Sequence, residues 1–147
     1  MQMSVLGKPD FKICGLRVWI HHRQFEESHD EWDGNCLTVT VHCATDGGSV
    51  RFSGTVLDAP SIAAFADGCR QQLAGVSDLA ELKSLEPNIS VTIRTCEGLH
   101  PFEILVEATP NAATQHHMFH FCVDREDIVS LLEDLNVVCE KFPIRGV

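Results

Sequence analysis

The chain has no tyrosine, only two tryptophans, and only 11 basic residues against 21 acidic ones, giving a formal charge of -10 over 147 residues. Each shortage excludes something. Without tyrosine, one frequent general acid and oxyanion donor is missing. A surface so poor in Lys and Arg repels phosphate backbones, so a nucleic-acid partner is not expected, whereas the same field attracts a basic protein. No apolar run approaches the roughly 20 residues that span a bilayer, and Met1 to Gly7 has neither a charged start nor a long apolar segment. The expectation is a cytoplasmic protein without a membrane partner. Also absent are a Gly-x-Ser-x-Gly elbow, a Gly-rich phosphate loop, a dinucleotide fingerprint after a strand and any Cys-x-x-Cys pair.

What is present fits one globular domain over residues 1–147. The chain is 44% hydrophobic and 22% charged, and a chain of this length buries about 70% of its extended surface on folding. Seven cysteines is an odd number, and five of them (Cys14, Cys43, Cys69, Cys122 and Cys139) fall at or near positions that periodicity assigns to the core. Dispersed in this way they read as reduced small hydrophobes, with no disulfide and no zinc ribbon.

Hydrophobic periodicity divides the chain into two similar halves. Phe11 to Ile20 is strand-like, Leu37 to Ala44 alternates cleanly, and Ser49 to Leu57 follows across the turn Thr45-Asp46-Gly47-Gly48. A helix then starts at Asp58, with Pro60 in its first turn and Ile62, Phe65, Cys69 and Leu73 along one stripe. The second half brings Ile89 to Thr95, Phe102 to Ala108 and His116 to Val123. A helix follows from Asp124, with Ile128, Leu131, Leu132, Leu135 and Val138 on its apolar face. Aligning Asp58 with Asp124 superposes the two helix starts at an offset of 66 residues. This predicts an α+β fold: about six antiparallel strands in a curved sheet or two layers, two helices over 60–75 and 125–141, and possibly a β-β-β-α duplication. The opposite strand faces, bearing Thr38, Thr40, His42, Arg51, Thr92, Arg94, Glu103, Glu107, His116 and His120, read as a solvated sheet surface.

The histidines invite a metal hypothesis that their spacing opposes. His116 and His120 share a strand face but stand roughly 13 Å apart at the usual strand rise, and His117 points the other way. Carboxylates such as Glu103 and Glu107 lie in polar surroundings, where ionised and solvated groups are the default. No catalytic residue, metal or cofactor is therefore assigned. A small hydrolase or metal-dependent enzyme using surface histidines is an alternative reading, and a structural or adaptor subunit is another.

One segment is different in kind. In Glu26-Glu27-Ser28-His29-Asp30-Glu31-Trp32-Asp33, five of eight residues are acidic and one is aromatic. Clustered carboxylates beside a tryptophan suit capture of a basic protein, because charge steers the encounter and the ring fills a pocket. Glu26, Glu27, Asp30, Glu31, Trp32 and Asp33 are the candidate partner-binding residues. The competing expectation for Trp32 is that it turns inward to cover the sheet.

That segment runs into Glu31-Trp32-Asp33-Gly34-Asn35-Cys36-Leu37, a compact turn opening a strand, in which Gly34 is free to take a positive φ and Asp33 and Asn35 can bond nearby backbone. Further on come Gly75 to Pro87 (Gly-Val-Ser-Asp-Leu-Ala-Glu-Leu-Lys-Ser-Leu-Glu-Pro), then Ile89, Val91 and Ile93 at period two, and finally Phe142-Pro143. In this order the blocks resemble the WapI-type bacterial immunity proteins, over roughly residues 11 to 144. Where that family places a second Trp after the Asn, this chain has Cys36. The resemblance implies a non-enzymatic protein that neutralises the nuclease toxin domain of a polymorphic secreted toxin by stoichiometric binding.

Overall fold

A computed structural model describes residues 6–84 and 86–146. Met1 to Val5 of the N-terminal stretch and Leu85 of the central block lie outside the described residues. Strands β1 (Phe11–Ile13), β2 (Leu16–Arg23), β3 (Cys36–Thr45) and β4 (Gly48–Asp58) form an antiparallel sheet in chain order, followed by helix α1 (Ala59–Leu73). A second antiparallel sheet, β5 (Leu79–Lys83), β6 (Ile89–Thr95), β7 (Phe102–Ala108) and β8 (His117–Val123), precedes helix α2 (Arg125–Lys141).

The class is α+β, with two four-stranded sheets where the sequence suggests about six strands. Two extra strands explain the difference. The run from Phe11 is broken at Cys14-Gly15, where Cys14 adopts φ 53°, so that β1 folds back on β2. The segment Leu79–Lys83 escapes a periodicity reading because its inward residues are Ala80 and Leu82 while another leucine, Leu79, points outward. It pairs with β6 from Leu79 opposite Arg94 to Lys83 opposite Ser90.

Gly15 is fixed by space. A β-carbon there would lie 1.9 Å from the carbonyl oxygen of Ala44, and Ala44 donates its N–H to the Gly15 carbonyl at 3.1 Å. Gly15→Ala is expected to lower stability by about 2 kcal/mol or more, since backbone must move to admit one methyl. A urea-denaturation midpoint equal to that of the parent protein would show that the β1–β2 turn yields freely.

Both helices start where the sequence places them. Asp58 Oδ1 accepts the N–H of Ser61 at 2.7 Å, and the Asp124 N–H donates to Asp127 Oδ2 at 3.0 Å. Their apolar stripes, Ile62, Phe65, Ala66 and Cys69 on α1 and Ile128, Leu131, Leu135 and Val138 on α2, join the inward residues of both sheets in one hydrophobic cluster. The helices do not simply cover their own sheets. Among the strands, α1 packs chiefly on β5 and α2 chiefly on β1, where Asp134 Oδ2 accepts the Lys12 N–H at 3.3 Å. The helices also meet each other: Arg125 Nη1 donates to the last α1 carbonyl, Leu73, and Arg70 Nη2 donates to Asn136 Oδ1, both at 3.0 Å.

The outer faces differ from a uniformly solvated surface. Thr40 is only 1% exposed. Its hydroxyl pairs with His21 Nε2 and with Ser53 Oγ, each at 2.7 Å, and its neighbour Trp19 is buried with Nε1 donating to the Gly7 carbonyl at 3.0 Å. Gly7 is thus tied to the middle of the first sheet. Two of the five expected core cysteines lie outside: Cys14 occupies the exposed β1–β2 turn, and Cys122 alternates with Phe121 and Val123 onto the outer face of β8.

Candidate functional site

The connection between β2 and β3, residues 24–35, carries the acidic run and is tied down at both ends. Arg23, the last residue of β2, is 3% exposed. Its Nη1 donates to the Gly34 carbonyl at 2.6 Å, its Nη2 donates to the Pro143 carbonyl, and its guanidinium stands 5.9 Å from the centroid of the Phe142 ring. Burial first, then the neighbouring Arg145 guanidinium, pull the Arg23 pKa below its ordinary value, while Glu26 opposes them. Arg145 Nη1 reaches the carbonyls of Glu26 and Ser28 at 2.7 and 2.9 Å. Two arginines thus hold the acidic loop through its backbone carbonyls.

Asn35 completes the clasp. Its amide donates to the carbonyls of Glu31 and Arg145 at 2.7 and 3.0 Å, and its side-chain oxygen accepts the Arg145 N–H at 2.8 Å. Gly34 is required for room and not for a left-handed conformation: it has no positive φ, and a β-carbon there would lie 2.7 Å from the Ser28 carbonyl oxygen. Asp30, not Asp33, supplies the turn bonds, its Oδ2 accepting the N–H groups of Trp32 and Asp33 at 3.1 and 3.0 Å.

This scaffold turns the remaining side chains outward. Trp32 is 73% exposed, which overturns the expectation that it packs inward over the sheet; the short 3-10 turn Asp33–Asn35 commits the inward positions to Gly34 and Asn35. Phe25 is 48% exposed and Ile144, on the C-terminal segment clasped to the loop, 43%. Glu26, Glu27, Asp30, Glu31 and Asp33 share the same loop, with Glu26 Oε1 turned back to accept the Arg23 N–H at 3.1 Å. The six residues singled out from sequence are therefore one contiguous surface feature, of which Glu26 and Asp30 also serve the loop's own structure.

The histidines are dispersed. His116 donates from Nε2 to Glu107 and His120 to Glu103, each at 3.1 Å, and His100 donates from Nδ1 to Asp124 at 2.8 Å. Among the described residues no group of three or more His, Cys, Asp or Glu side chains is placed to hold a metal ion. Among the described residues no helix is long and apolar enough to cross a membrane.

Residues 8–143 match the description "Immunity protein WapI-like family", which is nearly the whole chain. The chain belongs to the WapI-like immunity protein family. No curated protein and no solved structure matches it. In this family member the Trp-Asp-Gly-Asn turn and the Phe142-Pro143 dipeptide, far apart in sequence, form two sides of one clasp, joined by Arg23 and Arg145. Neither arginine stands out in the sequence. Arg23 lies three residues beyond the strand read from Phe11 to Ile20, and Arg145 follows the last motif.

The thiols add a pH dependence. All seven cysteines are free. Burial pushes the Cys43 thiol up to about 11 and the Cys69 thiol up to about 12, from an ordinary value near 9. A thiol whose folded pKa is raised contributes stability that is fully present below the unfolded value and lost as pH rises through the folded one. The urea midpoint is therefore expected to fall between about pH 9 and 12, and to fall less in a Cys43→Val/Cys69→Ala variant. Equal pH slopes for the two proteins would count against it.

Proposed function

We propose that this immunity protein acts in the cytoplasm by binding a basic, nuclease-type toxin domain one to one, occluding it without turnover through the clasped acidic loop. The observation that carries the reading is Trp32, 73% exposed among five carboxylates on a loop whose backbone is held by Arg23, Asn35 and Arg145. A large ring left in water is unfavourable for the free protein, and a fixed backbone lowers the ordering cost of association. Charge supplies the partner's sign: at -10 overall, with the acids gathered around the ring, the site selects a cationic surface such as a phosphate-binding nuclease presents.

We also read the two β-β-β-β-α halves as copies of one unit. β3 and β7 start 66 residues apart, as do α1 and α2, and Arg70 bonds Asn136 across the same separation. A contact between equivalent positions is what a two-fold relation places near its axis.

The test is titration of the cognate toxin domain. Inhibition should be complete at one equivalent, with a complex of one chain each. Inhibition continuing well below one equivalent would indicate turnover and return the enzyme reading.

A further inference from the structure

The two sheets have four edge strands, and three are protected by devices that keep an edge from pairing. β1 has three residues, and its edge N–H at Lys12 is taken by Asp134 of α2. β5 has five residues and carries Glu81 and Lys83. β4 carries Arg51 and meets β3 through an irregular register near Thr38. β8 has none of these. It is seven residues long, His117-Met118-Phe119-His120-Phe121-Cys122-Val123, without proline, Asp, Glu, Lys or Arg, and among the described residues it pairs only with β7.

Along residues 116–120 its free side is open to a chain, while toward Phe121 the strand comes against β3 and the Gly15 turn. A cleft of about 650 Å³ lies between β8 and the β3–β4 turn, bordered by Thr45, Ser49, His116, Met118 and His120. The unpaired N–H and C=O groups of an edge strand specify an extended backbone as occupant. The two faces of β8 specify its side chains. Inward, the half-buried Phe119 and Phe121 pack against the core; outward, Met118 is 58% exposed. On the outer face the strand next to β8 presents carboxylates, Glu103 and Glu107, whereas the cations Arg94 and Lys83 stand one and two strands further away. Within this sheet the charge nearest the free edge is therefore that of two carboxylates, each of which also accepts a hydrogen bond from a histidine, His120 on Glu103 and His116 on Glu107.

We propose that β8 receives an extended strand of the toxin domain, main chain to main chain, with apolar residues toward Phe119 and Phe121 and Lys or Arg toward Glu103 and Glu107. This rests on the immunity reading and adds a second docking element to the acidic loop. The bonding is backbone-led, so it depends on the edge being free and tolerates changes in the exposed β8 side chains.

Hydrogen exchange of the full chain, free and with the cognate toxin domain, tests this together with two variants. Amides in 117–123 are expected to gain protection in the complex. Met118→Lys/His120→Lys, which sets two cations against a basic strand, should weaken binding at least tenfold, while Met118→Thr/His120→Thr stays within about threefold. Protection confined to 24–35 and 142–146 would overturn the β8 assignment and leave the immunity reading standing. Equal losses in both variants would overturn the backbone mode, and a free chain already dimeric and protected at 117–123 would make the occupant a second copy. Failure of the two proteins to associate at all would remove the immunity reading itself.

Discussion

Arg23→Ala is expected to destabilise the protein by about 3 kcal/mol and to release the acidic loop and the C-terminal segment together. The guanidinium satisfies two backbone carbonyls, Gly34 and Pro143, that belong to segments 109 residues apart in sequence. Hydrogen bonds from a charged donor are worth about 1.5–3 kcal/mol each, and the carbonyls lose their partner when the donor goes. Against that stands the relief of a buried charge, which the lowered Arg23 pKa records and which keeps the net below the sum of the two bonds. Arg23→Lys should recover less than half, because an ammonium is a point donor and cannot span both carbonyls as a planar fork does. Urea denaturation gives the stability, and hydrogen exchange gives the location: amides in 26–35 and 142–146 should speed up while β6 and β7 keep their protection. A loss of stability with unchanged exchange in those segments would mean that Arg23 supports the sheet and does not clasp the loop.

The fold was legible where one residue type dominates one face. Val39, Val41 and Cys43, or Ile104 and Val106, alternate so regularly that their strands and inward faces follow directly, and the helix stripes from Ile62 and Ile128 do the same at helical spacing. Legibility failed where a short strand buries a small residue, as at Ala80, and where a turn interrupts a uniform run, as at Cys14-Gly15. It failed at Thr40 for another reason: a hydroxyl row matched across strands, Thr40 with Ser53 and His21, satisfies itself and tolerates burial that polarity alone would not suggest.

The candidate site divides in the same way. Its chemistry was visible, since acids and a tryptophan in one loop need no structure to be noticed. Its construction was not. Asn35 and Arg145 are joined by two hydrogen bonds across 110 residues of chain, and Gly34 is needed for closeness to Ser28, none of which local spacing records. The direction of Trp32 follows from that construction. Once the inward positions of the turn are filled by Gly34 and Asn35, the ring has only water or a partner to face.

Trp32→Ala and removal of the loop charges are therefore expected to act on different rates. Truncating an exposed aromatic anchor at the centre of an interface costs about 2 kcal/mol or more, roughly 30-fold in Kd, and nearly all of it in faster dissociation. Charge acts on the encounter. The variant to use is Glu27→Gln/Glu31→Gln/Asp33→Asn, because Glu26 accepts the Arg23 N–H and Asp30 accepts two N–H groups of the turn, so neutralising either also loosens the loop. That triple variant should slow association about tenfold at low salt and leave dissociation nearly unchanged. Its on-rate should also depend less on salt than the parent's, since screening with a Debye length near 8 Å at physiological ionic strength removes the same steering. Stopped-flow mixing with the toxin domain at two salt concentrations separates the two effects. Unchanged on-rates in the triple variant, together with unchanged off-rates in Trp32→Ala, would reduce the loop to a solvated face and leave the outer surface around His42, His116 and His120 as the place to look.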